Sequence, residues 1–395
     1  MLITPPLSLY VHLPWCVRKC PYCDFNSHAL KTGLPEAEYA AALLRDLDQD
    51  LPSVTGSRVK TIFFGGGTPS LFKPESITRI LNGIRQRLPL ANDVEITLEA
   101  NPGTVERGRF SEYKAAGVTR LSIGVQSFNT RHLEVLGRIH SAGEAMRAAE
   151  EAHAAGLTNF NLDLMYGLPE QNIAQACADM EQALSLEPAH VSHYQLTLEP
   201  NTLFYACPPV LPDEELIWQM QQACQALLAE NAYAQYEVSA YARAGQECRH
   251  NLNYWRFGDY LGIGAGAHGK LTDASRGRIL RLWKLKHPDA YLRAAGTPAG
   301  IGAVTEVAND DRIFEFMLNR LRLFECFSAL DFESLTGLPF SHTLPVLEQI
   351  QTLGLLQMTE GQWKPTLRGH TYLNDLQAHF LPDAKGASHS SQTAP

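Results

Sequence analysis

The chain reads as an α/β protein built on a parallel sheet, followed by a smaller, mainly helical domain. Three features predict this. Short β-type runs alternate with helix-period segments as far as residue 200. Polar or Gly-rich residues collect where each of those runs ends. Beyond about residue 308 the pattern turns helical and finishes on a short β-like pair.

Strand candidates begin near Leu7, Lys60, Val94, Arg120, Asn159 and His190, with helical patterns near 36–50, 74–88, 105–116, 130–155 and 171–186 between them. Such alternation implies βαβ units and a parallel sheet, either an open barrel or a doubly wound sheet. The first run leads into Cys16, Cys20 and Cys23, and the second into Gly65-Gly66-Gly67-Thr68-Pro69-Ser70. The third ends in Glu99-Ala100-Asn101-Pro102, the fourth in Gln126-Ser127-Phe128, the fifth in Asp163 and the sixth in Tyr194-Gln195. In barrel-like α/β folds those ends build one active-site face. The next segment holds a helical stretch from Pro212 to Asn231, a strand from Tyr236 to Tyr241, the run His250-Asn251-Leu252-Asn253-Tyr254-Trp255 and a Gly-rich run ending at His268. Helical patterns from Asp311, Ser328 and Leu344, then a pair of β runs around Leu356 and Trp363, read as a compact winged-helix-like module. The divisions expected are 1–235 for the core barrel, 236–305 for its extension, 306–382 for the C-terminal module and 383–395 for a disordered tail rich in Ala, Ser and Gly.

Hydrophobic residues make up 45% of the 395, enough for a sizeable core. Lys+Arg number 33 against 42 Asp+Glu, a net charge of −9, which argues against a nucleic-acid partner and its usual basic footprint. The eight Cys show no paired spacing, so a reducing compartment is expected, with the scattered Cys177, Cys207, Cys224, Cys248 and Cys326 as small core hydrophobes. The N-terminus lacks the charged and apolar regions of a signal peptide, and no apolar run approaches the roughly 18 residues of a membrane span. A cytoplasmic protein is expected.

The spacing C-x3-C-x2-C places three thiols on one short loop. They can hold three corners of a [4Fe–4S] cube and leave the fourth iron open to substrate. A zinc site with His12 or His28 as fourth ligand is the alternative on this loop alone. The Gly65–Ser70 run lacks both the P-loop ending and the dinucleotide-binding spacing, so its glycines are read as allowing close approach of backbone to a ligand.

Together, the Cys loop and the Gly loop resemble the radical S-adenosylmethionine superfamily. The resemblance implies a partial (βα)6 barrel, a [4Fe–4S] cluster on Cys16, Cys20 and Cys23, and S-adenosylmethionine chelated to the fourth iron. Tyr10-Val-His-Leu-Pro-Trp-Cys16, Gly65-Gly-Gly-Thr-Pro69, Glu99-Ala-Asn-Pro102, Gly124-Val-Gln-Ser-Phe128, Gly137-Arg-Ile-His140 and Asp163-Leu-Met-Tyr-Gly-Leu-Pro169 are similar to motifs of its coproporphyrinogen-oxidase-like branch, in the same order over nearly the whole chain. The nearer match within the branch is to its haem chaperones. Carried over, Tyr10, Gly66, Thr68 and Glu99 contact the cluster-bound S-adenosylmethionine. In the oxidases, the positions matching Tyr22, Gly67, Thr68, Gln126, Arg138 and Asp163 hold a second such molecule. In chemical terms, Glu99 and Asp163 suit amino or ribose hydroxyl groups, Arg138 can fork onto a carboxylate and Tyr22 can stack on a purine.

The chain departs from the oxidases in two places. Phe25 stands where they carry a further Cys, and only nine residues precede Tyr10, where they have an N-terminal extension. His250, Tyr254 and Trp255 match the H-N-x-x-Y-W haem-binding motif of the chaperones, with an axial His and aromatic cover; His268 is a weaker candidate. The resemblance therefore implies a haem chaperone that delivers haem to acceptor apo-haemoproteins, membrane-associated ones included, as a monomer or weak homodimer without nucleic acid. Radical oxidative decarboxylation of coproporphyrinogen III is the alternative. RNA modification is disfavoured by the charge.

Overall fold

The computed structural model describes residues 1–31, 33–104 and 109–382. The tail expected to be disordered lies outside the described residues, as does the start of the helical stretch expected from 105.

β1 (Leu7–Leu13) leads into a short parallel pair, β2 (Trp15–Cys16) and β3 (His28–Ala29), which joins the two ends of the cysteine loop. β4 (Val59–Gly66), β5 (Leu90–Ala100), β6 (Arg120–Gln126), β7 (Phe160–Tyr166) and β8 (His190–Gln195) follow, with helices such as Glu36–Asp50, Pro74–Arg85 and Ala142–Ala154 between them. β1 and β4 to β8 lie side by side in chain order, all parallel. That unbroken order is a partial (βα)6 barrel; a doubly wound sheet would reverse its order at a switch point.

Each strand sends alternate residues to opposite faces. Leu9, Val11, Ile62, Phe64, Leu98, Leu121, Ile123, Leu162 and Val191 join the core under the helices. Their neighbours on the other face are mostly polar: Tyr10, Glu99, Arg120, Ser122, Asn161, Asp163, His190 and Ser192 all line the barrel interior. Strand ends fall later than expected. Glu99, Asp163 and Tyr194 lie within β5, β7 and β8, because a polar side chain pointing into the lumen does not interrupt the backbone ladder.

The strand expected from Tyr236 to Tyr241 is a hairpin, β9 (Ala234–Glu237) and β10 (Ala240–Ala242), with β10 antiparallel to β8. The turn at Val238-Ser239 breaks the run, and Ser239 is held there by Glu237. β11 (Asp259–Ile263) pairs in parallel with the other edge of β1, and β12 (His268–Asp273), β13 (Arg278–Lys284) and β14 (Ile301–Glu306) extend that side antiparallel. Asp46 and Asp50 anchor this extension to the first helix through the buried Lys284, each at 2.6 Å.

A second core unites Phe316, Phe332, Leu347, Ile350 and Trp363 with Leu2, Phe257 and Ile279. Its helices Asn309–Arg320, Ala329–Thr336 and Leu344–Thr352 surround a three-stranded sheet of β15 (Phe327–Ser328), β16 (Leu356–Thr359) and β17 (Gln362–Pro365). Ser328 and Asp331 form a capping box, and Gly337 ends that helix at φ 75°. Among the described residues no helix is long and apolar enough to cross a membrane.

Candidate functional site

The cysteine loop and the Gly loop are stitched together at the backbone. Gly67 N–H donates to Leu13 O at 2.9 Å and Thr68 N–H to Trp15 O at 2.7 Å. Both glycines are sterically required. Gly66 sits at φ 117°, and a Cβ there would meet the His12 ring at 2.5 Å; a Cβ on Gly67 would meet the Trp15 carbonyl oxygen at 2.5 Å. His12 holds the loop from beneath. Its Nε2–H donates to Asn26 O at 2.8 Å, which leaves Nδ1 to accept from the Tyr10 hydroxyl at 3.0 Å. Asn26 in turn donates to Ala265 O and Lys286 O, at 2.9 and 3.0 Å.

Cys16, Cys20 and Cys23 all face one cavity of about 610 Å³ inside the barrel mouth. Burial pushes the Cys16 and Cys23 thiols up, so a metal centre bound there would displace protons. Among the described residues, no three His, Cys or carboxylate side chains are gathered as a single ion would need. The corners of an iron–sulfur cube lie farther apart than ligands sharing one ion. His12, offered above as a zinc ligand, has both ring nitrogens engaged; His28 packs edge-on to His287 at 5.6 Å.

Every residue read as an S-adenosylmethionine contact lines this same cavity: Tyr10, Tyr22, Gly66, Gly67, Thr68, Glu99, Gln126, Arg138 and Asp163. Glu99 accepts from Gly66 N–H at 3.2 Å, and burial, then the Asp163 charge, push its carboxyl up to about 8. A cationic group brought there would restore the carboxylate. Arg138 donates to Cys20 Sγ at 3.5 Å and to Gly124 O at 2.7 Å. Gln126 adopts φ 73°, costly for a residue with a side chain, while the Tyr194 hydroxyl donates to its Oε1 at 2.6 Å. The Gly loop built around an excluded Cβ leaves room for close approach of a ligand, and the raised Glu99 carboxyl fits one that carries a cationic amino group.

The cavity continues to the early residues of the strands, where the helix Arg249–Trp255 closes the barrel from below. Glu95 caps that helix by accepting from Arg249 N–H at 3.2 Å and His250 N–H at 3.1 Å. His250 is buried, stacked on Phe63 at 5.0 Å. Thr61 donates its hydroxyl to Ser8, so it accepts from His250 Nδ1–H at 2.7 Å, and the Nε2 lone pair takes the Tyr254 hydroxyl at 3.0 Å. Burial, then the Arg120 charge, push the imidazole down to about 3, so it is neutral. His250 and Tyr254 line the cavity. Trp255 lies behind them in a separate pocket of about 180 Å³ with Phe257 and Lys270, and the Arg322 guanidinium covers its ring at 4.3 Å. His268 lies outside the cavity, exposed and stacked on Trp283 at 6.0 Å.

The structure adds lumen residues that motif reading missed: Arg120, Ser122, Asn161, His190 and Ser192. Their signal was present as polar residues at every second position of strands otherwise apolar. Parallel strands covered on both faces normally read as continuous apolar runs.

Known proteins place this geometry. The radical SAM superfamily signature matches residues 10–183, and that of the HemN C-terminal domain matches 307–371. The heme chaperone HemW of Escherichia coli is 51% identical over 383 residues, covering 97% of this chain and 100% of that protein. The chain belongs to the HemW family. The HemW of Haemophilus influenzae is 49% identical over 96% of this chain and 99% of its own length. A solved structure of the E. coli coproporphyrinogen III oxidase HemN, described as a radical SAM enzyme, shares the fold at TM-score 0.80 and 23% identity, covering 95% of this chain and 90% of that one. For a HemW-family chain, membership of the radical SAM superfamily implies a [4Fe–4S] cluster and S-adenosylmethionine.

Proposed function

We propose that this chain binds haem within the barrel and passes it to apo-haemoproteins, with a [4Fe–4S] cluster and S-adenosylmethionine at the opposite end of the same cavity. One observation carries this reading: a single continuous cavity joins Cys16, Cys20 and Cys23 to His250 and Tyr254. The relatives named heme chaperones, alike over their whole lengths, support it.

On this reading Cys16, Cys20 and Cys23 hold the cluster. Tyr10, Gly66, Thr68 and Glu99 hold S-adenosylmethionine, and Tyr22, Gly67, Gln126, Arg138 and Asp163 line the adjoining space. When bound, the cluster and S-adenosylmethionine supply one-electron redox chemistry. His250 would hold the haem iron. It is already neutral, and its Nδ1–H is fixed by Thr61, so the Nε2 lone pair becomes available once the Tyr254 hydroxyl turns away. Residues 1–235 carry the cluster, 236–305 the floor, and 306–382 a mainly helical unit packed against both. Phe25, 62% exposed at the cavity mouth, offers no thiol to the decarboxylation chemistry of the oxidase branch.

The test uses full-length protein reconstituted anaerobically. It is expected to bind haemin with a Soret band and to pass it to an apo-globin. A parallel sample given coproporphyrinogen III, S-adenosylmethionine and reductant is expected to yield no protoporphyrinogen. Turnover comparable with an authentic oxidase run alongside, or no haem binding at all, would overturn the reading.

A further inference from the structure

Among the described residues, the buried and half-buried cations around the barrel are almost all paired. Lys270 meets Asp259 at 3.0 Å and Lys284 meets Asp46 and Asp50. Arg320 pairs with Glu325, and Arg322 with Glu237. Arg138 is held through both terminal nitrogens. Arg120 differs. It is 2% exposed and lines the inner end of the cavity, and among the described residues its guanidinium has no ion-pair partner and its Nε no hydrogen bond. The Nε atoms of Arg138, Arg320 and Arg322 are unbonded too, but their terminal nitrogens are held. The carboxylates whose charge it feels, Glu95 and Asp163, are engaged elsewhere. Glu95 caps the Arg249–Trp255 helix, and Asp163 accepts from Ser122 at 3.2 Å and Asn161 at 2.8 Å.

A buried guanidinium without a hydrogen-bonded partner is costly, and its fork matches a carboxylate better than any other common group. The walls above it include the apolar faces of Tyr10, Phe63, Met165 and Leu196. They suit a broad, largely apolar body carrying a carboxylate at its edge.

We infer that Arg120 is a carboxylate receptor on the barrel floor, one that takes a propionate of the tetrapyrrole inserted into the cavity. The inference rests on the haem reading above and deepens it. Arg120 lies beside the His250 helix, so one floor would present both an iron ligand and a propionate clamp. The ligand's orientation in the barrel would then be set by charge as well as by iron.

The test compares haem with haem dimethyl ester, whose propionates are capped, on wild-type protein, Arg120→Gln and Arg120→Lys, by Soret titration. A charge-assisted hydrogen-bonded pair predicts that wild type prefers free haem by about tenfold or more. That preference should shrink to about threefold or less in Arg120→Gln. Should circular dichroism show Arg120→Gln unfolded, Arg120→Lys carries the test: it keeps the charge but loses the fork, so the preference should fall at least about threefold. Wild type that binds the ester as tightly as haem, or a folded variant that keeps the full preference, would sink the receptor and leave the chaperone reading standing. Failure of wild type to bind either form would sink both.

Discussion

The Tyr254 hydroxyl donates to Nε2 of His250 at 3.0 Å, one helical turn away, and so covers the lone pair that a haem iron would need. The imidazole is held on its other side by Thr61 at 2.7 Å. The proposed ligand is thus oriented and capped at once, and the two functions can be separated by mutation.

Tyr254→Phe removes the cap and leaves His250 fixed by Thr61. Haem affinity should hold or rise, with the Soret band of the wild-type complex retained. His250→Ala should abolish that band and, by stranding buried partners at Thr61 and Tyr254, lower stability by about 1–3 kcal/mol. An unchanged Soret band in His250→Ala would remove His250 as ligand. Soret spectra and thermal melts on the same preparations decide.

Trp255 belongs to the same motif but points away from the cavity, under Arg322. Trp255→Leu should lower the melting temperature, since a cation–π contact and buried ring area are lost, and leave the haem spectrum in place. A shifted Soret band would bring Trp255 into the haem pocket.

Alanine at Cys16, Cys20 or Cys23 should each abolish the bound cluster, read as iron and sulfide content and visible absorbance. Alanine at Cys177 or Cys248 should spare it. Cys248 is buried beside Glu95, which its thiol approaches at 3.9 Å. Loss of the cluster in Cys248→Ala with retention in Cys20→Ala would reassign the ligands.

Gly67→Ala drives a methyl group to within 2.5 Å of the Trp15 carbonyl oxygen, at the junction of the Gly and Cys loops. Overpacking of this kind costs about 1–3 kcal/mol. S-adenosylmethionine affinity and cluster loading should fall together, by calorimetry and iron analysis, while the barrel core keeps its circular dichroism.

Glu99 has a folded-state pKa of about 8, raised from 4.5 by burial and then by Asp163. The folded protein therefore holds this proton more tightly than the unfolded chain. Its contribution to stability is complete below about pH 4.5 and is lost as pH rises through about 8. Melting curves of ligand-free wild type should fall across that window more steeply than those of Glu99→Gln. Parallel curves would show that Glu99 is already ionised.

Much of this protein is local and so was legible in the chain itself. Cys16, Cys20 and Cys23 share one loop, so their spacing alone states how many corners of a cluster they can hold. Gly66 and Gly67 announce a close backbone approach, and the alternation of strand and helix announces parallel βα units. The H-N-x-x-Y-W run names an imidazole with aromatic neighbours. Its side chains nonetheless diverge, because of their spacing on the helix: His250 and Tyr254, four apart, point together, and Trp255, five on from His250, is turned aside. Tertiary structure alone decided where the run sits. The lumen is assembled from alternate residues of six strands scattered from Tyr10 to Tyr194, and their meeting depends on register between strands. The Arg249–Trp255 helix reaches the floor only because Glu95 and Thr61, more than 150 residues earlier, accept its first-turn donors and its imidazole. Long-range pairing of this kind leaves no trace in local spacing. For that reason Arg120 reads in the sequence as an ordinary residue at the start of a strand, and in the fold as an unsatisfied cation at the end of the cavity.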